Sequence, residues 1–292
     1  MIKTSSNPSW LFSYGMPKSG TTTLSSILGL SPDISVHFAK EPNDFIDRLP
    51  SELPNFSGYQ IKKTTKYLAD FSTQYGTELN RNYFLENLEA VGLLCSSRFI
   101  FSLREPRALS KSYFGHLTRQ SGLDPKKDAS IISNRINSAI DYRSSINLLT
   151  AIVKPSQIFV VNFNDLMELD SQQRLANQLC VWLGVPPIKV MEVVRRNTAK
   201  TARRYSAPID KLISSMRRIN LVRSLPPNVR SSISYLLSHK INEETIRFDV
   251  EEWVNIIRLK DSESFFNNLV SGPLDNSPSD VLSDCLPQSD AC

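Results

Sequence analysis

The sequence predicts an α/β fold, with a P-loop-like, mainly parallel sheet flanked by helices and a C-terminal helical extension. Two observations favour it. Short β-prone apolar runs alternate with longer segments of helical periodicity, and the first run leads through a glycine-bearing loop into a helix. With 292 residues, of which 40% are hydrophobic and 22% charged, the chain can bury a sizeable core.

The expected strands and helices alternate along the first 183 residues. The β-prone runs predict strands at Trp10–Tyr14, Tyr59–Lys62, Arg98–Leu103 and Gln157–Phe163. The helical patterns predict helices at Thr21–Leu30, Glu78–Ala90, Arg107–Arg119, Ile131–Leu149 and Asp165–Leu183. Such alternation is typical of right-handed crossovers in a parallel sheet.

The C-terminal third has a different pattern. Helical, polar patterns at 214–219, 229–237 and 262–269 predict an extension that packs on the sheet, beginning at about residue 185. Residues 271–292 are rich in serine, proline and aspartate, which predicts a flexible tail. We therefore expect one domain over residues 1–270, followed by the tail.

Charge and terminal composition exclude some classes of protein. The net charge of +5 suits nucleic acid, an acidic membrane surface or a polyanionic small ligand. No basic and aromatic residues interleave as in a nucleic-acid module, so no nucleic-acid partner is expected. No segment has about 18 consecutive apolar residues and no apolar leader is present, which predicts a cytoplasmic protein without a membrane span. The four cysteines are too scattered for a zinc cluster.

The loop after the first strand has the composition of an anion-binding loop. It reads Pro17-Lys18-Ser19-Gly20-Thr21-Thr22 and gathers backbone N–H groups, hydroxyls and an ammonium group at a helix N-terminus. The spacing differs from a Walker A loop, where glycine directly precedes the lysine. Here a proline precedes the lysine, and Ser-Gly separates the lysine from the threonine pair.

A second anion-binding group follows the strand Arg98–Leu103. Enzymes that transfer phosphoryl groups commonly hold a metal through an aspartate at such a position. Arg104 stands there instead, at the edge of a parallel sheet where ligands bind. The two segments together predict direct binding of anions without a metal.

These two segments resemble motifs of the sulfotransferases that use 3′-phosphoadenosine-5′-phosphosulfate (PAPS). Residues 17–22 resemble the 5′-phosphosulfate loop, and residues 104–113 resemble the 3′-phosphate motif. The resemblance implies in-line transfer of a sulfuryl group from PAPS to a hydroxyl or amine, with adenosine 3′,5′-bisphosphate as product and no required metal. It implies that the donor contacts Pro17, Lys18, Ser19, Gly20, Thr21, Thr22, Arg104 and Ser112.

The acceptor side carries two further resemblances. Lys40-Glu41-Pro42-x-x-Phe45 resembles the segment of heparan sulfate-type and bacterial sulfotransferases whose glutamate is the catalytic base, which implies that role for Glu41. Residues 62–68 resemble a Lys-[Ser/Thr]-Pro-x-Tyr segment of the same enzymes, with threonine in place of proline. This implies that Lys63 is a second active-site lysine, beside Lys18, which stabilises the leaving group. His37 is the competing base, because the cytosolic branch of the family uses a histidine.

The remaining expectations concern the nucleotide cover and the acceptor. The basic segment 195–205 falls where family members place a loop over the nucleotide, which implies 3′-phosphate contacts from Lys200, Arg203 or Arg204. The acceptor, a small molecule or a glycan, is not fixed by the fold. Two alternatives stay open: a nucleotide kinase or NTPase with a variant P-loop, and a non-enzymatic binder of nucleotides or polyanions.

Overall fold

A parallel sheet forms the centre of the protein. The structure, a computed structural model, describes residues 8–119, 121, 123–194, 203–205, 238–240 and 259–270. Within these ranges the sheet has five strands: β1 Ser9–Ser13, β2 Ile34–Val36, β3 Tyr67–Asp70, β4 Arg98–Leu103 and β5 Ile158–Asn162. All neighbours pair in parallel, in the order β2-β3-β1-β4-β5. The predicted α/β class is confirmed.

Helices connect and cover the strands. They are α1 Thr21–Leu28, α2 Asp44–Asp47, α3 Arg81–Ala90, α4 Pro106–Arg119, α5 Ala129–Ile140, α6 Tyr142–Ile152, α7 Leu169–Leu183 and α8 Leu259–Val270. Short 3-10 helices occur at Pro50–Glu52, Leu94–Ser96, Pro155–Gln157 and Phe163–Leu166. A separate antiparallel pair joins β6 Arg203–Tyr205 to β7 Ser238–Lys240.

The two faces of the sheet bury different helices, because successive side chains of a strand point to opposite faces. Phe12 is fully buried on one face, with ring centroids 4.9 Å from Phe45 and 5.3 Å from Phe84, in a cluster that includes residues of α3 to α6 and α8. Its neighbour Leu11 belongs to the opposite cluster, with Leu24 of α1 and residues of α7. Apolar layers on both faces leave the loops at the sheet edges to carry polar chemistry.

The position of β1 determines which loops meet. Phe12 of β1 is in register with Asp70 of β3 on one side and Phe99 of β4 on the other. Because the strands are parallel, the loops that follow β1, β3, β4 and β5 all leave the carboxyl edge of the sheet. The chain passes from β1 outward to β2 on one side, while β4 lies on the other side. Ligands of open α/β sheets bind where the connections diverge in this way.

Several predicted boundaries differ from the structure. The strand predicted at 59–62 is wrong: the strand lies at Tyr67–Asp70, whose four residues are all buried between β1 and β2. An alternating pattern indicates a half-exposed strand, whereas a central parallel strand is buried on both faces. The helix predicted at 131–149 is two helices, because the chain bends at Asp141, whose side chain caps α6 by accepting the Ser144 N–H. The three-residue β2 was not predicted.

The C-terminal expectations are only partly covered by the described residues. The pattern at 262–269 is confirmed within α8, which packs against α4, α5 and α6. Residues 185–194 contain neither helix nor strand, and β6 and β7 lie where a helical extension was predicted. The patterns at 214–219 and 229–237 and the tail 271–292 lie outside the described residues. In the described ranges no helix is long and apolar enough to cross a membrane.

A close backbone approach explains one glycine at the carboxyl edge. A Cβ atom on Gly76 would lie 1.9 Å from the carbonyl oxygen of Tyr14, which no rotamer change relieves. We expect Gly76→Ala to destabilise the protein by about 3 kcal/mol or more, because the loop after β3 must separate from the end of β1. Urea unfolding measures this. Gly92→Ala is the matched control, since a Cβ added there has no atom within 4 Å. Its only cost is the φ of 68°, which destabilises an alanine by about 1 kcal/mol. Equal losses in the two variants would contradict the close approach.

Candidate functional site

The loop between β1 and α1 is shaped by its own backbone. Lys18 has a φ of 66° and Gly20 a φ of 87°, both in the left-handed region. A Cβ on Gly20 would lie 2.5 Å from Leu166 Cδ1 and 3.0 Å from Phe163 Cδ2, so the turn after β5 packs directly on this glycine. Gly20 precedes α1, which has no side-chain N-cap and no acidic residue in its first turn. The positive end of the helix dipole therefore faces this loop without a carboxylate from the first turn of α1.

The six predicted loop residues do not all face outward. Ser19 is fully buried; its Oγ accepts the Met16 N–H at 3.0 Å and donates to the Met16 carbonyl. Its side chain therefore closes the loop from inside. Pro17 and Thr21 are also buried, whereas Lys18, Gly20 and Thr22 are half-buried and line the surface. Of the six loop residues, these three have part of their surface exposed.

Arg104 connects the second predicted segment to this loop. Its Nη1 donates to the Lys18 carbonyl oxygen at 2.9 Å, and its guanidinium lies 4.2 Å from the centroid of the Phe163 ring. Burial lowers the pKa of Arg104, although an arginine keeps its charge at neutral pH. Its Nε is buried and has no hydrogen-bond partner within the part of the chain that the structure describes. A buried donor without a partner is costly, and an anion bound here would satisfy it.

The start of α4 fixes the position of Arg104. Glu105 caps this helix, since its carboxylate accepts the N–H groups of Arg107 at 2.8 Å and Ala108 at 2.6 Å. Tyr142 donates its hydroxyl to the Arg104 carbonyl at 2.6 Å. Ser112, the other predicted 3′-phosphate contact, is half-buried and lies six residues beyond the first residue of α4, about 9 Å along its axis.

Glu41 lies close to the loop between β1 and α1, to which its neighbour Lys40 connects it. Lys40 Nζ forms a short ion pair with Glu41 Oε1 and also donates to Thr21 Oγ1, at the first residue of α1, at 3.2 Å. The other carboxylate oxygen accepts the Thr73 hydroxyl at 3.2 Å. The Glu41 side chain is 37% exposed, so it is accessible from solvent. Burial raises the pKa of Tyr113 on α4, and the nearby Glu41 carboxylate adds to this effect.

His37 is less well placed to act as a base. It is buried at the carboxyl end of β2, where its Nδ1 accepts the Ala39 N–H at 3.1 Å. Its ring centroid lies 4.8 Å from both Phe38, which it stacks upon, and Tyr59, which it meets edge-on. A Cβ on Gly58 would lie 2.0 Å from its Nε2, so the second nitrogen faces backbone. These contacts make His37 part of an aromatic cluster.

The structure does not bring Lys63 to this edge. Lys63 is exposed in the turn before β3, where Thr64 Oγ1 donates to the Pro32 carbonyl at 3.3 Å and Lys66 pairs with Asp33 at 3.2 Å. Residues 62–66 therefore lie at the amino edge of the sheet, opposite the loop that contains Lys18. The role of Lys63, which the resemblance of residues 62–68 implied, stays a prediction, and the structure places this residue in the exposed turn before β3.

The segment after β3 lies beside Glu41, and it was not predicted from the sequence to belong to the site. Asp70 ends this strand, is fully buried, and accepts hydrogen bonds from the Ser72 hydroxyl at 2.6 Å, the Ser72 N–H at 2.8 Å and the Tyr75 hydroxyl at 2.6 Å. Burial raises the pKa of Asp70 to about 7, with a smaller contribution from Asp44. The polar run that follows Tyr67-Leu68-Ala69 could have been found by the same rule that found Arg104.

The remaining predicted donor contacts belong to the C-terminal third of the chain. Lys200 lies outside the described residues, and Arg203 and Arg204 lie on β6, which pairs antiparallel with β7. In the described ranges, His, Cys, Asp and Glu side chains form no group of three that could hold a metal ion.

The buried carboxyl predicts a pH dependence of stability. The pKa of Asp70 is about 7 in the folded protein against 3.8 as reference. Between these values the folded state holds a proton that the unfolded state has lost, so stability falls as pH rises, by a total on the order of 4 kcal/mol. Urea unfolding of the wild type and Asp70→Asn at several pH values isolates the effect. The free energy of unfolding of wild type minus that of Asp70→Asn should fall from about pH 4 to about pH 8; a constant difference would contradict the assignment.

Comparisons with known proteins find similar folds. No protein-family model and no curated protein matches the sequence. Among solved structures, a sulfotransferase from Alicyclobacillus acidocaldarius is 14% identical, with a TM-score of 0.46 over 77% of this chain and 99% of that chain. The sulfotransferase domain from the Synechococcus PCC 7002 olefin synthase is 14% identical, with a TM-score of 0.47 over 94% and 98%. The sulfotransferase domain from the curacin biosynthetic pathway is 17% identical, with a TM-score of 0.48 over 92% and 99%. Likeness this distant does not assign an activity.

Proposed function

We propose that the protein is a sulfotransferase that transfers the sulfuryl group of PAPS to an acceptor hydroxyl or amine. One observation carries the proposal: the hydrogen bond from Arg104 to the Lys18 carbonyl joins two anion-binding segments at one sheet edge. Both segments resemble the donor-binding motifs of that family, and a donor with phosphate groups at its 3′ and 5′ positions requires two such sites.

The residues at this edge suit a doubly anionic ligand. The N-terminus of α1, with Lys18 and Thr22 on its surface, would hold the 5′-phosphosulfate. Arg104 would hold the 3′-phosphate, because its buried Nε finds no partner among the described side chains and backbone groups. A charge-assisted hydrogen bond to a phosphate would remove that cost.

Glu41 is the proposed general base. It would take the proton of the acceptor as the acceptor oxygen or nitrogen bonds to sulfur and the bond from sulfur to the bridging phosphate oxygen breaks. Lys18 would stabilise the negative charge that develops on that leaving oxygen. Lys40 lies between the base and α1 and holds the carboxylate close to the loop. Lys63 has no part in this proposal.

Donor affinity tests the two anion sites. We expect adenosine 3′,5′-bisphosphate to bind in EDTA and, at 100 times its dissociation constant, to stabilise the protein by about 2.7 kcal/mol. Arg104→Ala should weaken binding by about 10- to 100-fold, because one charge-assisted contact is lost. Titration calorimetry measures this.

The matched control for Arg104 is an arginine at the other end of the same strand. Arg98 donates to the Ser156 carbonyl and lies 5.0 Å from the Trp182 ring centroid, at the amino edge. Arg98→Ala should bind the bisphosphate as wild type does. Binding of Mg-ATP but not of the bisphosphate would replace the proposal with a kinase or NTPase, and binding without any transfer from PAPS would indicate a non-enzymatic protein.

Removal of the proposed base should slow sulfuryl transfer without changing the affinity for the donor. Glu41→Gln should bind the bisphosphate normally yet transfer sulfuryl groups at least about 100-fold more slowly. Initial rates with labelled PAPS at saturating donor measure it. Glu52→Gln, which changes an exposed carboxylate of a 3-10 helix, is the control and should keep full activity.

His37→Phe separates the two candidate bases, since phenylalanine preserves the ring contacts with Phe38 and Tyr59. If His37→Phe abolishes transfer while Glu41→Gln stays active, the histidine is the base. If both variants stay active, the base lies elsewhere or the acceptor is an amine already free of its proton.

A further inference from the structure

The turn that carries Glu41 has internal backbone hydrogen bonds, such as the one from the Lys40 N–H to the His37 carbonyl, but two of its residues have an unfavourable backbone conformation. Lys40 and Asn43 have φ angles of 57° and 54°, in the left-handed region that non-glycine residues rarely adopt. Such conformations persist where the surroundings determine them. The Glu41 carboxylate needs a defined direction to accept a proton, so contacts from outside the turn must supply it.

Beside the link from Lys40 to Thr21, three contacts to this turn come from one loop, the segment that follows β3. Phe71 N–H donates to the Lys40 carbonyl at 3.2 Å, and the Thr73 hydroxyl donates to Glu41 Oε2 at 3.2 Å. The Asn43 N–H donates to Ser72 Oγ at 2.9 Å. Backbone and side chain of the Glu41 turn are thus attached to the same short segment.

One buried carboxylate contacts Ser72, the partner of Asn43, and also contacts Tyr75, which makes a further attachment at Phe45. When Asp70 is ionised, above about pH 7, its Oδ1 receives the hydroxyl hydrogen of Ser72, and its Oδ2 receives that of Tyr75. Each hydroxyl has a single hydrogen, so both hydroxyl oxygens are left as acceptors. Ser72 Oγ accepts the Asn43 N–H, and Tyr75 Oη accepts the Phe45 N–H at 3.4 Å. Two relays therefore run from one carboxylate to two backbone N–H groups of the segment that follows Glu41.

We propose that Asp70 is a positioning residue of the site: it orients the hydroxyls of Ser72 and Tyr75, and these hold the turn that carries Glu41. The catalytic consequence rests on the proposed function, because it assumes that Glu41 is the base. Asp70 itself is fully buried, so it would act on the site through the relays.

Two conservative variants each remove one relay. Ser72→Ala removes the link to Asn43, and Tyr75→Phe removes the link to Phe45 while it keeps the ring stacked on Phe84, 4.1 Å away. Each should lower kcat for sulfuryl transfer by about 10- to 100-fold, because a small displacement of a catalytic group such as the Glu41 carboxylate slows the reaction by a factor of this size. The dissociation constant of adenosine 3′,5′-bisphosphate should stay within about twofold of wild type, since the donor site is intact.

Ser138→Ala is the matched control, a buried serine on α5 whose Oγ makes no hydrogen bond to the residues that the structure describes. It should change neither kcat nor donor affinity. If Ser72→Ala fails to fold, Tyr75→Phe tests the second relay alone.

Two readouts separate positioning from mere stability. In a Glu41→Gln background, Ser72→Ala should lower kcat by less than a further factor of about two, because its effect on kcat depends on the carboxylate that is already missing. Amide hydrogen exchange at Asn43 should quicken in Ser72→Ala, and that at Phe45 in Tyr75→Phe. A full additional loss in the Glu41→Gln background, or quickened exchange with unchanged kcat, would overturn the proposal.

The failure of the proposed function gives a different result. A wild-type protein that transfers no sulfuryl group removes that function and the catalytic part of this inference together. If the wild type transfers sulfuryl groups but amide exchange at Asn43 and Phe45 is unchanged in the two variants, only the relays are contradicted.

Discussion

The hydrogen bond between Arg104 and the Lys18 carbonyl joins segments 86 residues apart in the chain. It exists because β1 and β4 are parallel neighbours, so the loops that follow them leave the same edge of the sheet. Phe163, at the end of β5, supports the guanidinium from a third loop. A single contact between side chain and backbone therefore joins the two groups that we propose bind anions, and the order of the strands makes that contact possible.

The other half of the site depends on the neighbour of β1 on the opposite side. There the loop after β3 makes hydrogen bonds to the turn that carries Glu41, and the buried Asp70 accepts hydrogen bonds from Ser72 and Tyr75, two residues of this loop. Lys40 bridges the two halves, because its ammonium contacts both Glu41 and Thr21. The proposed anion-binding groups and the Glu41 carboxylate are thus attached to strands on either side of one central strand.

Much of this arrangement could be predicted from the sequence, because Arg104 follows an unambiguous apolar strand and Lys18 lies in a loop with a clear helix start. The second strand was placed at residues 59–62, whereas the true strand, ending at Asp70, is short and buried on both faces. That error hid Asp70 and its partners. The inward orientation of Ser19 and the packing of His37 among aromatic rings depend on contacts distant in sequence, which periodicity does not encode.

The central claim is that one ligand binds Lys18 and Arg104 at the same time. A crystal structure of the protein with adenosine 3′,5′-bisphosphate tests it most directly. We expect the 3′-phosphate within about 3 Å of Arg104 Nε and the 5′-phosphate within about 3 Å of N–H groups in the first turn of α1. A nucleotide bound away from this edge, or one whose phosphates contact only α1 and leave Arg104 Nε without a partner, would contradict the account.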